Sequence, residues 1–432
     1  MMSDKITGLI YLILLSITGF INSENVIDVV GIQWYYLSYL NIFFLGFTLL
    51  KRLLQNRKEN NISFLSNPLI ILYVIFFLFC SLSLVFSINH SVSIIALSKL
   101  SITLISLFLF EELQIFKNFN INQLSILFST YLLIEVFLSI KPFFEIIQVT
   151  DYDFSMADQF LRGAAANKNI TSASIAFKIP FIYFLIFKYK NIFLRIFLLI
   201  ICTTAFFNLI ILSSRAIILS VTIFSLFYLT GSIISSYISN YNSKLILKNL
   251  FIFFIPIVMA LGISNTYFKN ESTNIGNRIS SINSDDVSSS TRFRYYTKGT
   301  NYALKNPFLG AGIGNWQLIS IKLDSDSLES YIVPYVAHND FIELATEIGI
   351  LGAVIYLIFI LSSLYFLAKM FFYKKIEYSH NAILILAIPG IIYFFDANLN
   401  FPLYRPIMLV NILFYSTFIY GLYKHQNLKN LK

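Results

Sequence analysis

The segment from Thr291 to Gly352 concentrates the residue types that could do chemistry. It begins TRFRYYTKGTNYALKNPFLGAGIGNW and, after a polar link, continues as HNDFIELATEIGILG into an apolar run. His338 stands at the mouth of that run, and Arg292 and Arg294 precede it on a predicted helix over 291–306. A histidine at a helix start is often only structural, but its position opposite an arginine-bearing loop makes it a catalytic candidate.

Two further loops carry candidate binding residues. Arg215 closes the turn ILSSRAIILS between two long apolar runs. A lone arginine there is costly unless it is paired or exposed, which favours anion binding over simple snorkelling to the interface. The loop 148–170 contains Arg162, Asn167 and Asn169; it is either a substrate-contacting loop or an ordinary solvated one. Both asparagines could cap the helix that follows.

Two other patterns look like binding motifs. Asp324-Ser325-Asp326 and Asp151-Tyr152-Asp153 have the Asp-x-Asp spacing of some metal sites, but no nucleotide-binding pattern accompanies them, and solvated loops are favoured. The glycines of GAGIG (310–314) lack the strand and the Gly-Lys-Ser/Thr that phosphate loops require. We interpret GAGIG as a tight turn that allows close backbone packing.

The composition indicates an integral membrane protein. Hydrophobic residues make up 57% of the 432 residues and charged residues only 12%, whereas soluble domains carry about 25% charged residues. The net charge of +9 is typical of cytoplasmic loops in a polytopic protein and does not by itself indicate nucleic-acid binding. Cys80 and Cys202 lie in apolar runs and are poor disulfide or metal candidates.

About twelve apolar runs are long enough to cross a bilayer as helices of ~20 residues. The first is read as a transmembrane helix rather than a cleaved signal. Lys and Arg concentrate at alternate ends of the runs, which predicts cytoplasmic termini and places the loop 266–337 outside the cytoplasm. The predicted spans are 6–22, 32–50, 68–88, 92–110, 124–147, 171–187, 192–212, 216–238, 249–265, 339–368, 381–395 and 406–423.

The order of these motifs resembles the O-antigen ligase and polymerase superfamily. SSR at 213–215, Arg292, NPFLGAGIG and HNDFIELATEIGILG occur in the family's order, and GAAANKN at 163–169 resembles its upstream segment. Tyr296 stands where tryptophan is common. The resemblance implies an all-α membrane protein with a large, partly helical periplasmic loop. It divides the chain into N-terminal helices (1–150), a ligase-like core (151–370) and C-terminal helices (371–432).

The resemblance also implies a reaction. An acceptor hydroxyl would attack the anomeric carbon of a glycan carried on undecaprenyl pyrophosphate, with His338 as general base and Asn339 orienting it. Arg215 and Arg292 would stabilise charge on the leaving pyrophosphate. No metal or cofactor is expected; the partners are the lipid-linked glycan, a glycolipid or glycan acceptor and membrane lipid, with no nucleic acid. The further substrate-binding candidates are Arg162, Arg294, Arg405, Asn167 and Asn169.

Several functions remain open at this level. The leading hypothesis is a ligase that moves the glycan to lipid A–core or a similar acceptor at the periplasmic face of the bacterial inner membrane. A polymerase that joins lipid-linked repeat units and a protein O-oligosaccharyltransferase share the same donor chemistry. A transporter should carry charges along a mid-membrane path, but the intramembrane charges are few: Lys99, Glu135, Lys141 and Lys178.

Overall fold

The fold is entirely helical in the part of the chain that the structure describes. This computed structural model describes residues 4–22, 28–54, 67–150, 152, 156–157, 159–163, 165, 167–239, 243–268, 287–327, 334–372 and 378–430. Sixteen α-helices are present in these ranges. They are α1 Asp4–Ile17, α2 Val29–Leu54, α3 Pro68–Ser83, α4 His90–Glu112, α5 Ile115–Asn118, α6 Ile121–Ile146, α7 Lys168–Lys188, α8 Ile192–Leu212, α9 Arg215–Ser239, α10 Ser243–Tyr267, α11 Val287–Lys305, α12 Trp316–Asp324, α13 Asp340–Ile348, α14 Ile350–Phe371, α15 His380–Leu399 and α16 Pro406–Asn430.

Eleven of the described helices are long and apolar enough to cross a membrane, which confirms the polytopic all-α architecture. They are α2, α3, α4, α6 to α10 and α14 to α16. The predicted span at 6–22 is shorter than expected. Its α-helix, α1, has 14 residues and ends in the 3-10 turn Thr18–Phe20, less than the ~20 residues that a straight crossing needs.

The most buried spans form the centre of the bundle. The apolar part of α7 is almost wholly inside the protein, and α15 and α16 are mostly buried. The Lys178 ammonium of α7 lies 2.7 Å from the Glu135 carboxylate of α6 and donates to the Ser174 carbonyl oxygen. Glu135 therefore pairs with Lys178. This pairing neutralises two charges that would be costly at that depth.

A compact helical unit connects α10 to α14. It contains α11, α12 and α13, and α11 packs against both α12 and α13. The predicted helix over 291–306 is confirmed, although it begins earlier, at Val287. It ends at Lys305, directly before Asn306 and Pro307.

The predicted single span over 339–368 is wrong, because the helix is interrupted at Gly349. This glycine has φ +85°, and a Cβ there would lie 2.6 Å from the Phe308 carbonyl oxygen. The next amide, Ile350, donates to the Pro307 carbonyl oxygen at 2.9 Å. The break separates α13, which carries acidic residues, from the apolar span α14.

The GAGIG turn packs backbone against backbone, as interpreted from the sequence. The amides of Ala311 and Gly312 donate to the carbonyl oxygens of Thr346 and Glu347 at 2.9 and 2.8 Å. A Cβ at Gly310 would lie 2.1 Å from the Thr346 oxygen, so no larger residue fits. Directly after the turn, the Asn315 side-chain amide donates to the hydroxyl oxygens of Ser87, in the α3–α4 connection, and Ser93, in the first turn of α4. The turn thus joins α13 to the membrane helices.

Candidate active site

His338 occupies a constrained backbone position immediately before α13. Its φ of +59° is in the left-handed region, which a residue with a Cβ adopts only at a cost. Asn339 caps α13, because its Oδ1 accepts from the amides of Phe341 and Ile342. From α11, the Tyr296 hydroxyl donates to the His338 carbonyl oxygen at 2.8 Å. The backbone of the histidine is therefore fixed from two sides.

Two arginines from distant parts of the chain surround His338 with positive charge. Arg292 of α11 donates to the Leu399 carbonyl oxygen at the end of α15, at 3.0 Å. Burial, then the charges of Arg292 and Arg405, lower the pKa of His338 from 6.5 to about 4. The imidazole is therefore neutral at neutral pH. Its Nδ1 is buried and has no hydrogen-bond partner among the described residues.

The loop between α15 and α16 contributes an aromatic ring and an arginine to the site. The ring of Phe401 lies 5.3 Å from the imidazole ring of His338, centroid to centroid, and 4.4 Å below the Arg405 guanidinium. Asn400 donates to the Asp396 carboxylate at 2.7 Å, which closes the end of α15. Burial lowers the pKa of Arg405 to about 10, so this side chain still carries its charge at neutral pH. One aromatic ring thus positions both the histidine and an arginine.

Three carboxylates of α13 are the main feature that the sequence prediction missed. Asp340, Glu343 and Glu347 are at most 1% exposed. Burial and then neighbouring carboxylates raise the pKa of Asp340 and of Glu343 well above their usual ranges, and burial raises the pKa of Glu347 to about 7. Their spacing of three and four residues places them on one helix face, and this was the available signal.

A cavity of about 400 Å³ opens beside the site. Its lining includes Arg405, Phe401 and Tyr404 from the α15–α16 loop, together with Trp316 of α12 and Lys99 of α4. Arg405 and Phe401 also line a smaller cleft with Asn169, Asp396 and Asn400. Phe401 and Arg405, which contact or polarise His338, therefore border both the cavity and the cleft.

Arg294 lies apart from this arrangement. Its guanidinium is 2.9 Å from the carboxylate of Asp324, and the Lys298 ammonium is 2.7 Å from the same carboxylate. Asp324 is 1% exposed, so its interpretation as part of a solvated loop is wrong, whereas Asp326 is exposed. The two cations offset the free-energy cost of removing the Asp324 carboxylate from water. The second pair, Asp151 and Asp153, lies outside the described residues.

The remaining predicted residues lie on the neighbouring helix ends and loops. Asn167 caps α7 through the amides of Asn169 and Ile170, as expected. The side chain of Arg162 is exposed, and its carbonyl oxygen accepts from the Thr171 hydroxyl at 2.7 Å. These contacts do not test the predicted substrate roles of four residues, which stay predictions: Arg162, Asn167, Asn169 and Asn339.

Arg215 begins α9 two residues after Ser213, which has φ +49°. Gly231 of α9 lies against Leu384 of α15, and the two helices pack against each other.

The bundle of membrane helices joins a neutral buried histidine to arginines at one end, groups that can take up a proton and bind an anion. Residues 200–357 match the family described as O-Antigen ligase. This match confirms the resemblance to the O-antigen ligase and polymerase superfamily and indicates a membrane glycosyltransferase-like enzyme of that type. It contains Arg215, Arg292 and His338, whereas Arg405 lies beyond it. A comparison with curated proteins gave no match.

Proposed function

We propose that this protein transfers a glycan from undecaprenyl pyrophosphate to lipid A–core or a similar acceptor, at the outer face of the bacterial inner membrane. The observation that carries the proposal is the convergence of His338, Arg292 and Arg405, which are distant in sequence, on one end of the helix bundle. Two polar atoms of these residues are buried without a hydrogen-bond partner among the described residues: His338 Nδ1 and Arg405 Nε. Such unsatisfied atoms are rare in folded proteins and are suited to binding a polar substrate.

The arginines suit the donor. A polyprenyl pyrophosphate carries several negative charges, and guanidinium groups bind phosphate oxygens through paired, charge-assisted hydrogen bonds. Arg292 and Arg405 would bind the pyrophosphate, with Arg215 assisting from α9. They would stabilise the charge that develops as the bond between the anomeric carbon and the pyrophosphate oxygen breaks. The electron pair of that bond leaves with the pyrophosphate.

His338 suits the acceptor. As the acceptor hydroxyl oxygen forms its bond to the anomeric carbon, the neutral imidazole would take up the hydroxyl proton. In the free enzyme, a pKa of about 4 makes His338 a weak base. A bound pyrophosphate would offset the arginine charges and raise this pKa toward 6.5. The base would therefore strengthen only when the donor is in place.

We place the site outside the cytoplasm on the basis of charge distribution. Most of the flanking Lys and Arg of the bundle lie at the helix ends opposite to His338, which are those of α1, α2, α7, α14 and α16. Such residues favour the cytoplasmic side. Both termini would then be cytoplasmic. A periplasmic site has access to lipid-linked glycans but not to nucleotide sugars, which agrees with a polyprenyl-linked donor.

A deletion strain tests the proposal directly. We expect long glycan to accumulate on undecaprenyl pyrophosphate while the acceptor carries none, as measured by mass spectrometry of extracted lipids beside a surface-polysaccharide gel. Single repeat units on the carrier, or capped onto the acceptor, would instead identify a polymerase. An unchanged profile would contradict both and favour protein glycosylation or transport. Complementation with the wild-type gene is the matched control.

A further inference from the structure

The three carboxylates of α13 each bind a backbone amide on a different segment. Glu343 Oε2 accepts from the Ala337 amide at 2.7 Å, and Asp340 Oδ2 accepts from the Leu403 amide at 3.0 Å. Glu347 Oε1 accepts from the Trp316 amide at 2.7 Å. One helix face therefore holds three loops by their main chains.

Two of these amides lie next to residues of the candidate site. Ala337 immediately precedes His338, and Leu403 is two residues before Arg405. We infer that Glu343 and Asp340 are positioning residues, which hold the backbone segments of His338 and Arg405 at the separation that the reaction needs. Neither carboxylate is assigned a contact with substrate. The inference rests on the proposed function for its activity readout only.

The backbone of His338 explains why such holding is needed. Its left-handed φ is unfavourable for a residue with a Cβ, so the conformation persists only where the surroundings impose it. The Tyr296 hydroxyl donates to the carbonyl oxygen of His338, and Glu343 accepts from the amide N–H of the preceding residue, Ala337. Without the Glu343 contact, the segment would relax toward an ordinary backbone conformation and carry the imidazole away from Arg405.

The carboxyl groups of Glu343 and Asp340 are both buried. Glu343 is 1% exposed and Asp340 is 0% exposed, so water does not replace a lost carboxylate contact. A buried amide without its acceptor is costly, and the loop would move to satisfy it. The reach of the side chain should therefore matter more than whether it ends in a carboxyl or an amide group.

Two substitutions separate the reach of the side chain from its carboxyl group. Glu343→Gln keeps an oxygen at the same reach and removes the carboxyl group, whereas Glu343→Asp keeps the carboxyl group and shortens the reach by one methylene. Each full-length variant is expressed in the deletion strain and also purified into lipid nanodiscs. Hydrogen exchange of the Ala337 amide is measured on the nanodiscs. Transfer from extracted lipid-linked glycan is measured on the same samples.

We expect Glu343→Asp to speed exchange of the Ala337 amide by about tenfold, since a buried hydrogen bond is lost. It should lower the maximal rate of transfer by about a hundredfold, the lower range for losing a base. The donor concentration for half-maximal rate should change little, because Arg292 still binds the pyrophosphate. Glu343→Gln should remain within a few-fold of the wild type in both measurements.

Two results would overturn the inference: a variant that loses transfer while the Ala337 amide exchanges at the wild-type rate, or one that exchanges faster and still transfers normally. Glu145→Gln removes a carboxylate from the exposed Lys141–Glu145 pair of α6 and is the control, with unchanged exchange at Ala337. If Glu343→Asp does not accumulate, Asp340→Asn and Asp340→Ala make the same comparison at the Leu403 amide. The exchange measurements need no substrate, so they decide the holding role even if the proposed transfer reaction fails.

Discussion

The pH dependence of transfer offers a quantitative test of the His338 environment. An ordinary histidine has a pKa of 6.5, and burial together with Arg292 and Arg405 lowers that of His338 to about 4. Because kcat/KM reports the ionisation of the free enzyme, its acidic limb should have a midpoint near pH 4. The midpoint for kcat should lie higher, since the bound pyrophosphate offsets the arginine charges in the complex.

Replacing Arg292 with Gln removes one of the two positive neighbours. A like charge a few ångströms away shifts a pKa by about 1 unit or more, so the kcat/KM midpoint should rise by about 1 unit. Burial is the larger cause and stays in place, so the midpoint should not return to 6.5. Initial rates of glycan transfer by the nanodisc-embedded protein, from about pH 3.5 to 8 at constant ionic strength, measure this.

Samples returned to neutral pH control for irreversible inactivation. A kcat/KM midpoint near 6.5 in the wild type, unmoved by Arg292→Gln, would refute the assigned surroundings of His338. A midpoint near 4 that disappears in His338→Ala, with a loss of ~10²–10⁴-fold in rate, would support its role as the base.

Three further predictions concern the leaving group, the core and metals. Arg215→Ala should abolish glycan transfer with normal protein abundance in membrane fractions; wild-type transfer would contradict its assigned role. Glu135→Gln leaves Lys178 buried without its partner and should destabilise the protein by about 3 kcal/mol, seen as a lower unfolding temperature in detergent. Lys141→Gln, in an exposed pair with Glu145, is its control and should change stability by less than about 1 kcal/mol. A chelator should leave the transfer rate unchanged; inhibition reversed by a divalent cation would contradict a metal-independent mechanism.

The sequence was sufficient to predict the features that depend on local pattern. Apolar runs predicted the spans, Asn167 predicted a helix cap, and the glycines of GAGIG predicted close backbone contact. The interruption at Gly349 was not predictable from the run GILGAVIYL, because it depends on the backbone of Phe308, 41 residues earlier. Pattern also could not show that Asp324 pairs with Arg294, since that contact joins separate helices.

In the candidate site too, residues in short sequence motifs were predictable, whereas contacts between distant segments were not. His338 and Arg292 were recognisable because each stands in a short motif, whereas Phe401 lies in no motif and contacts His338 only after α15 and α16 fold beside α13. The carboxylates of α13 were visible as a spacing, but their buried backbone partners at 337 and 403 depend on tertiary structure. Because these acids bind main-chain amides, the loops they hold can vary in side chain without losing the contact. The helix that follows the histidine is therefore best understood as the rigid part to which the arginine loop and the histidine are both attached, and a change in its acidic face should alter the geometry of both at once.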